Sequence, residues 1–277
     1  MCIPETVEAV RAQVGKDVKP RIGRRALMVG GVAAATTGGL AAPAHGAHRS
    51  KRRFQDLTHV LTESFPVFTF DPPARETLTT IPDGGFYAQQ WTLAEHSGTH
   101  MDVPGHFIEG GRLSPQITPQ ELIVPLVVID ISKRAARNPD AVVTVDDLVR
   151  FERRHGRIPK GALVCMNSGW AAKVTDPLAY KGGPAFPDYH FPGFSPEAAM
   201  ALADHRNITG LGVDTLSLDP GNSTTFPVHL DFLATDRYGL ENLNNLDRIP
   251  TRGATAYVGV IPLEEGSGGP TRVIATW

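Results

Sequence analysis

Three of the ten histidines of this 277-residue chain, together with one aspartate, fall within eleven positions of the segment Glu95-His96-Ser97-Gly98-Thr99-His100-Met101-Asp102-Val103-Pro104-Gly105-His106-Phe107. His96, His100, Asp102 and His106 follow one another at spacings of four, two and four. A helix would align residues four apart, but Gly98 divides the first pair and Pro104-Gly105 follows Asp102, and both features oppose a helix. The spacing therefore predicts a strand end and a tight loop, in which Gly98 can adopt a backbone conformation that a Cβ would block. Imidazoles and a carboxylate folded onto one point suit Zn²⁺, Mn²⁺ or Fe²⁺. With no cysteine nearby, the pattern is that of a catalytic metal site rather than a structural thiolate zinc site.

Other routes to catalysis find no counterpart in the sequence. There is no Gly-x-Ser-x-Gly elbow, no G-x-x-x-x-G-K-[ST] phosphate loop, and no glycine cluster set as a dinucleotide fingerprint after a strand. Of the two cysteines, Cys165 lies in the apolar run Ala162-Leu163-Val164-Cys165-Met166 and reads as a buried structural thiol.

The elements that must position the cluster are short. Runs rich in Val, Ile and Leu recur at Val124–Asp130, Ala162–Met166, Ile208–Asp214 and Ala256–Ile261. They lack strict alternation, which predicts strands buried on both faces. Between them, Thr144-Val145-Asp146-Asp147 opens an apolar pattern that stops at Gly156. Ser195-Pro196-Glu197 caps a second helix over Ala198–His205, with His205 and Arg206 near the negative end of its dipole. Strands alternating with helices predict an α/β fold, with a more loop-rich β region in the Pro- and Gly-rich first third.

The start of the chain reads differently. Arg21-Ile22-Gly23-Arg24-Arg25 leads into a weakly apolar Ala/Gly/Thr run and an Ala42-Pro43-Ala44 site, so residues 1–44 are expected to be a removable signal peptide of the twin-arginine type. Four glycines and two threonines between Ala26 and Ala42 leave that run short of a stable membrane anchor. A basic linker over residues 45–53 and a single domain over residues 54–277 follow, exported to the cell envelope or beyond. Residues 1–44 carry six basic and three acidic side chains, so their removal takes the formal charge from −2 to −5. A chain of that charge has little long-range attraction for nucleic acid. Cys2 leaves with the leader, no intrachain disulfide is then available, and stability must come from the core, from metal or from oligomerisation.

The string from His96 to Phe107 resembles, at every specified position, the H-x-G-T-H-x-D-x-P-x-H-F signature of the metal-dependent cyclase family, which includes bacterial kynurenine formamidases and isatin hydrolases. Asp56-Leu57-Thr58-His59 with Phe65-Pro66-Val67, Ser168-Gly169-Trp170, and Gly212-Val213-Asp214-Thr215-Leu216-Ser217-Leu218-Asp219 are similar to further segments of that family. The resemblance runs from about residue 54 to the C-terminus. It implies a single swivelling β/α/β-type cyclase-like domain with a central mixed sheet or barrel-like β core and flanking helices.

By the same resemblance, His96, His100 and Asp102 are metal ligands and His106 is the acid/base. His229 and Glu241, twelve residues apart like a later pair in the formamidases, complete a site for one or two divalent ions, Zn²⁺ or Mn²⁺. As a sequence feature, His229 could equally be a hydrogen-bonded core histidine, and Asp231 stands close to it. Phe68 occupies a position where many relatives carry tryptophan, and Phe86 and Tyr87 lie in an idiosyncratic stretch over residues 79–90; all three are candidate substrate-binding residues, although aromatic side chains also serve core and rim packing. A cation in such a site lowers the pKa of bound water from about 15.7 to about 7, and His106 would pass a proton to the leaving nitrogen. The implied activity is a secreted, metal-dependent hydrolase of an amide, either an N-formyl aryl amine or a cyclic amide. It would act on a small molecule as a homo-oligomer, dimer or tetramer, as relatives do. A polyketide-type cyclase or lactone hydrolase on the same metal site, and a non-catalytic binding protein that keeps the site, are the competing readings.

Overall fold

The computed structural model describes residues 52–277; the expected signal peptide lies outside the described residues. Twelve strands are named in chain order: β1 (Phe54–Asp56), β2 (Ala74–Thr79), β3 (Ala88–Thr92), β4 (His100–Asp102), β5 (Ile123–Asp130), β6 (Val142–Val143), β7 (Leu163–Asn167), β8 (Gly193–Phe194), β9 (Gly210–Val213), β10 (Tyr238–Glu241), β11 (Arg252–Val260) and β12 (Gly268–Thr276). Three helices of seven residues or more accompany them among the described residues: α1 (Val145–His155), α2 (Pro196–Arg206) and α3 (Pro227–Leu233).

Seven strands close into a mixed barrel in the order β12-β11-β5-β7-β9-β10-β4, with β4 pairing back onto β12. The β5, β7, β9 and β10 run is parallel, and the remaining pairings around the ring are antiparallel. Nine-residue β12 can serve both β1 and β4 because it uses different stretches for each, Ile274–Thr276 for β1 and Gly268–Pro270 for β4. The expected α/β architecture with a barrel-like core is the one observed. Two separate two-stranded sheets, β2–β3 and β6–β8, complete the strand list. Residues 75–90 group apart from the other described residues, with a helical turn at Ile81–Gly84. Phe86 and Tyr87 belong to that group.

Parity along the parallel strands explains their continuous apolar runs. Val127 and Ile129 of β5 and Val164 and Met166 of β7 face a layer containing Leu148 and Phe151 of α1, Leu202 of α2 and Phe232 of α3. Leu126, Val128, Leu163 and Cys165 point the other way, into a second cluster with Met101, Leu240, Ala256 and Val273. Both faces are therefore covered, as the runs at 124–130, 162–166 and 208–214 imply. The run at 256–261 behaves differently. In β11, Ala254, Ala256 and Val258 are buried while Tyr257 is exposed, the alternation of an antiparallel strand with one face on the core and the other toward solvent. Cys165 is a free buried thiol, its pKa pushed up by burial.

Helix ends follow the sequence signals. Thr144 caps α1, its hydroxyl accepting from the Asp147 N–H while the Asp147 carboxylate accepts from the Thr144 N–H, and Gly156 with φ +81° ends the helix. Ser195 caps α2 through the Ala198 N–H at 3.2 Å, and Pro196 opens its first turn. Among the described residues, no helix is long and apolar enough to cross a membrane.

One buried carboxylate ties strand ends together away from any exposed surface. Asp214, just past β9, accepts from the Ser168 N–H and Oγ–H at 3.0 and 2.6 Å and from the Trp170 N–H at 3.0 Å. Burial pushes its pKa up to about 6 against those donors, so at pH 8 it is an acceptor-only group with both oxygens engaged. Asp214→Asn would turn an N–H₂ toward a backbone N–H; a loss of about 1–3 kcal/mol in unfolding free energy is expected by denaturant titration at pH 8.

Candidate metal centre

The site is built around β4. In a strand, residues two apart share a face, so His100 and Asp102 point together while Met101 between them enters the apolar cluster inside the barrel. Register brings the third group. Glu241 of β10 stands directly across from His100, and Leu240 across from Met101, so Glu241 joins His100 and Asp102 on one face. On the other edge of β4, Gly268 lies opposite Asp102. A Cβ at 268 would sit 2.6 Å from His96 Cε1, so glycine there is what lets the His96 ring approach the strand. Gly98 adopts φ +71° in the loop between His96 and β4, as its place in the sequence predicts.

Nitrogen and oxygen donors converge. His100 Nε2 lies 3.3 Å from Asp102 Oδ1 and 3.3 Å from Glu241 Oε2. His229 Nε2, from α3, lies 3.3 Å from Asp102 Oδ2 and 3.2 Å from Glu241 Oε1. His96 Nδ1 is 2.6 Å from Asp102 Oδ1. Asp102 therefore faces three imidazoles with its two oxygens, and the side chains of Asp102, Glu241, His100 and His229 are almost wholly buried. The histidines are held from behind by acceptors. His100 donates from Nδ1 to the Gly98 carbonyl at 2.9 Å, and His229 donates from Nδ1 to Asp219 Oδ2 at 2.6 Å, which leaves both Nε2 lone pairs for the shared focus. Asp219 also accepts from the Val228 and His229 N–H groups at 2.8 and 3.0 Å, fixing the first turn of α3.

The electrostatics divide the histidines. Burial opposes charge on His100, but the Asp102 and Glu241 carboxylates prevail and push its pKa up to about 10. His229 is likewise raised, by Asp102, Asp219 and Glu241 against burial. Asp102, though buried, is held well below the ordinary carboxylate range by His100 and His96. His106 goes the opposite way: burial, reinforced by its imidazole neighbours, lowers it to about 4. Its ring stacks on His96 with centroids 3.8 Å apart. The carboxylate end of this site thus stabilises positive charge, and its N/O donor set fits a divalent cation. Two overlapping groups could hold one, His100–Asp102–Glu241 and His96–Asp102–His106, with Asp102 common to both.

His96, His100, His106, His229 and Glu241 form the floor of a cavity of about 280 Å³. Its walls include Phe68, Phe70, Phe107, Phe186, Leu216 and Phe226. Phe226 takes φ +48°, a strained conformation for a bulky residue, at the N-cap of α3 immediately before Pro227.

All six residues singled out by the signature and the later pair, His96, His100, Asp102, His106, His229 and Glu241, gather here. Asp231 does not; it is exposed on α3. His229 is hydrogen-bonded to Asp219 and also faces Asp102 and Glu241, so the two sequence readings of it describe opposite edges of one ring. Phe68 lines the cavity; Phe86 and Tyr87 belong to the separate 75–90 group. Sequence reasoning assigned no role to Asp219, Ser267 or Phe226. Asp219 closes a quoted motif and Phe226 precedes the Pro-Val-His segment, which is the only local signal either carries.

Known proteins resemble the chain in sequence and fold. Residues 55–220 match the family model described as "Putative cyclase". The chain is 33% identical over 242 residues to an isatin hydrolase of Roseibium aggregatum, covering 79% of this chain and 90% of that protein. It is 26% identical to a kynurenine formamidase of Geobacillus thermodenitrificans, covering 78% and 94%. The solved structure of isatin hydrolase A from Ralstonia solanacearum superposes with a TM-score of 0.77 at 35% identity, over 88% of this chain and 99% of that one. Carrying a buried His/Asp/Glu cluster on a closed mixed barrel, the chain belongs to the cyclase family, as a homologue of isatin hydrolases and kynurenine formamidases.

Proposed function

We propose that this protein is a metal-dependent hydrolase that opens an amide of a flat aromatic small molecule, a cyclic amide or an N-formyl aryl amine. The observation that carries this reading is the position of the donor cluster at the floor of an aromatic-walled cavity, with His106 beside it. Its relatives include an isatin hydrolase and a kynurenine formamidase, which supports a carbon–nitrogen bond as the target. The twin-arginine-like leader of residues 1–44 supports export of the folded chain.

In this reading His96, His100, Asp102, His229 and Glu241 hold one or two divalent ions, Zn²⁺ or Mn²⁺. Such an ion, when bound, lowers the pKa of a coordinated water to about 7 and polarises the substrate carbonyl. The chain's own residues do the rest. Phe68, Phe70 and Phe226 clamp an aromatic ring and exclude water from the cavity floor. His106, neutral at pH 7 because its pKa lies near 4, can accept a proton at a ring nitrogen and return it to the leaving nitrogen. Asp219 and the Gly98 carbonyl keep His229 and His100 oriented throughout.

Two substitutions separate holding the ion from moving the proton. His100→Ala is expected to abolish bound metal, measured by elemental analysis, together with turnover of isatin-like and N-formyl aryl amine substrates; activity that survives metal loss would refute the mechanism. His106→Ala should keep the wild-type metal content while kcat falls by about 10²–10⁴-fold. If metal is lost with His106, that residue is a ligand and the proton carrier lies elsewhere.

A further inference from the structure

Two of the three imidazoles on Asp102 are backed directly by an acceptor, the Gly98 carbonyl and the Asp219 carboxylate. The third, His96, faces a pair: Glu95 Oε1 stands 3.5 Å from its Nε2, and the Ser267 hydroxyl comes closer, with Oγ at 2.9 Å. The Ser267 hydroxyl in turn donates to Glu95 Oε1, which also receives the Ser267 N–H at 3.2 Å. The Ser267 backbone is itself pinned, because its carbonyl accepts from the Val103 N–H at 3.1 Å. Glu95 is adjacent in sequence to His96, while Ser267 arrives from 171 positions away, just before β12.

We infer that Glu95 and Ser267 are positioning residues that set the tautomer of His96 and so aim its Nδ1 lone pair at the cation focus beside Asp102. The direction of the chain follows from chemistry. An ionised carboxylate only accepts, so the Ser267 proton must point to Glu95. The serine oxygen is then left as acceptor toward His96, and Nε2 must carry the ring proton. Nδ1 faces Asp102 Oδ1 at a hydrogen-bond distance of 2.6 Å, so a cation held beside Asp102 would take the place of the Nδ1 proton and make Nδ1 the ligating atom. Without Glu95, the serine hydroxyl is free to turn and donate to Nε2. That places the proton on Nδ1, where it competes with the cation. The inference rests on the reading of the Asp102 cluster as a metal site.

The test is zinc affinity of the full chain by competition with a chromophoric chelator, with long-range ¹H–¹⁵N spectra of the zinc-loaded protein reporting which His96 nitrogen is protonated. Glu95→Ala, at a partly exposed side chain, is expected to weaken zinc binding by about 10–100-fold. Glu95→Gln should restore affinity to within about threefold of wild type, because its amide oxygen still accepts from the hydroxyl. Adding Ser267→Ala to Glu95→Ala should cause no further loss, since it removes the wrongly directed donor. Unchanged affinity in Glu95→Ala, a Gln variant as weak as the Ala variant, or a His96 protonated at Nδ1 in the zinc-loaded wild type would each overturn the relay while leaving the metal site intact. Failure of the wild-type chain to bind zinc or manganese would overturn the metal-site reading and this inference with it.

Discussion

A carboxylate facing three imidazoles out of reach of water is the constraint around which this molecule is arranged. Asp102 is about 1% exposed, and an isolated buried carboxylate would cost several kcal/mol. It is tolerable only because positive charge, carried by protons on the imidazoles or by a cation on their lone pairs, stands within hydrogen-bonding distance. That requirement propagates outward. Each imidazole must present one nitrogen inward, so each needs an acceptor on its opposite edge: a loop carbonyl, a second buried carboxylate, and a serine backed by a glutamate.

Barrel closure makes the convergence possible. β4 has three residues, yet it bridges β10 and β12 and so completes the ring. Its antiparallel pairing with β10 sets Glu241 across from His100, and its pairing with β12 brings Gly268 against the His96 ring. A one-residue slip of β4 would reverse its faces, sending Met101 toward the cavity and both functional side chains into the apolar interior. Met101 and Leu240, packed in the same inner cluster, therefore specify the site as much as its polar residues do.

Much of this was legible in the amino-acid sequence, for identifiable reasons. Gly98 and Pro104-Gly105 declared a turn, helix caps at Thr144 and Ser195 declared helix starts, and the apolar runs at 124–130, 162–166 and 208–214 declared strands covered on both faces, while the run at 256–261 became a strand with one exposed face. These are local signals. What stayed hidden depends on register between distant strands and on loops meeting across the ring. Asp219 reaches His229 across ten positions, and Ser267 reaches His96 across 171. The aromatic wall was only partly readable for a related reason. A phenylalanine in the sequence carries no mark of whether its ring fills a core or lines a cavity, and Phe68 does both, packing edge-on against Tyr189 while facing the site.

The division of labour among the histidines follows from position rather than residue type. His100 and His106 are six residues apart and both largely buried, and burial alone would lower both. His100 faces Asp102 and Glu241 and is driven up to about 10, whereas His106, a turn further on, stacks on another imidazole and falls to about 4. Between them, Pro104 and Gly105 bend the chain into a single 3₁₀ turn. That turn sets the His106 ring against His96 at the cavity, where burial and its imidazole neighbours outweigh the pull of the nearby Asp102 and Glu241 carboxylates. A group pulled toward neutrality beside one held positive is the pattern by which an active site separates a proton acceptor from its charge-binding groups. Here a two-residue bend produces that separation within one short segment of chain.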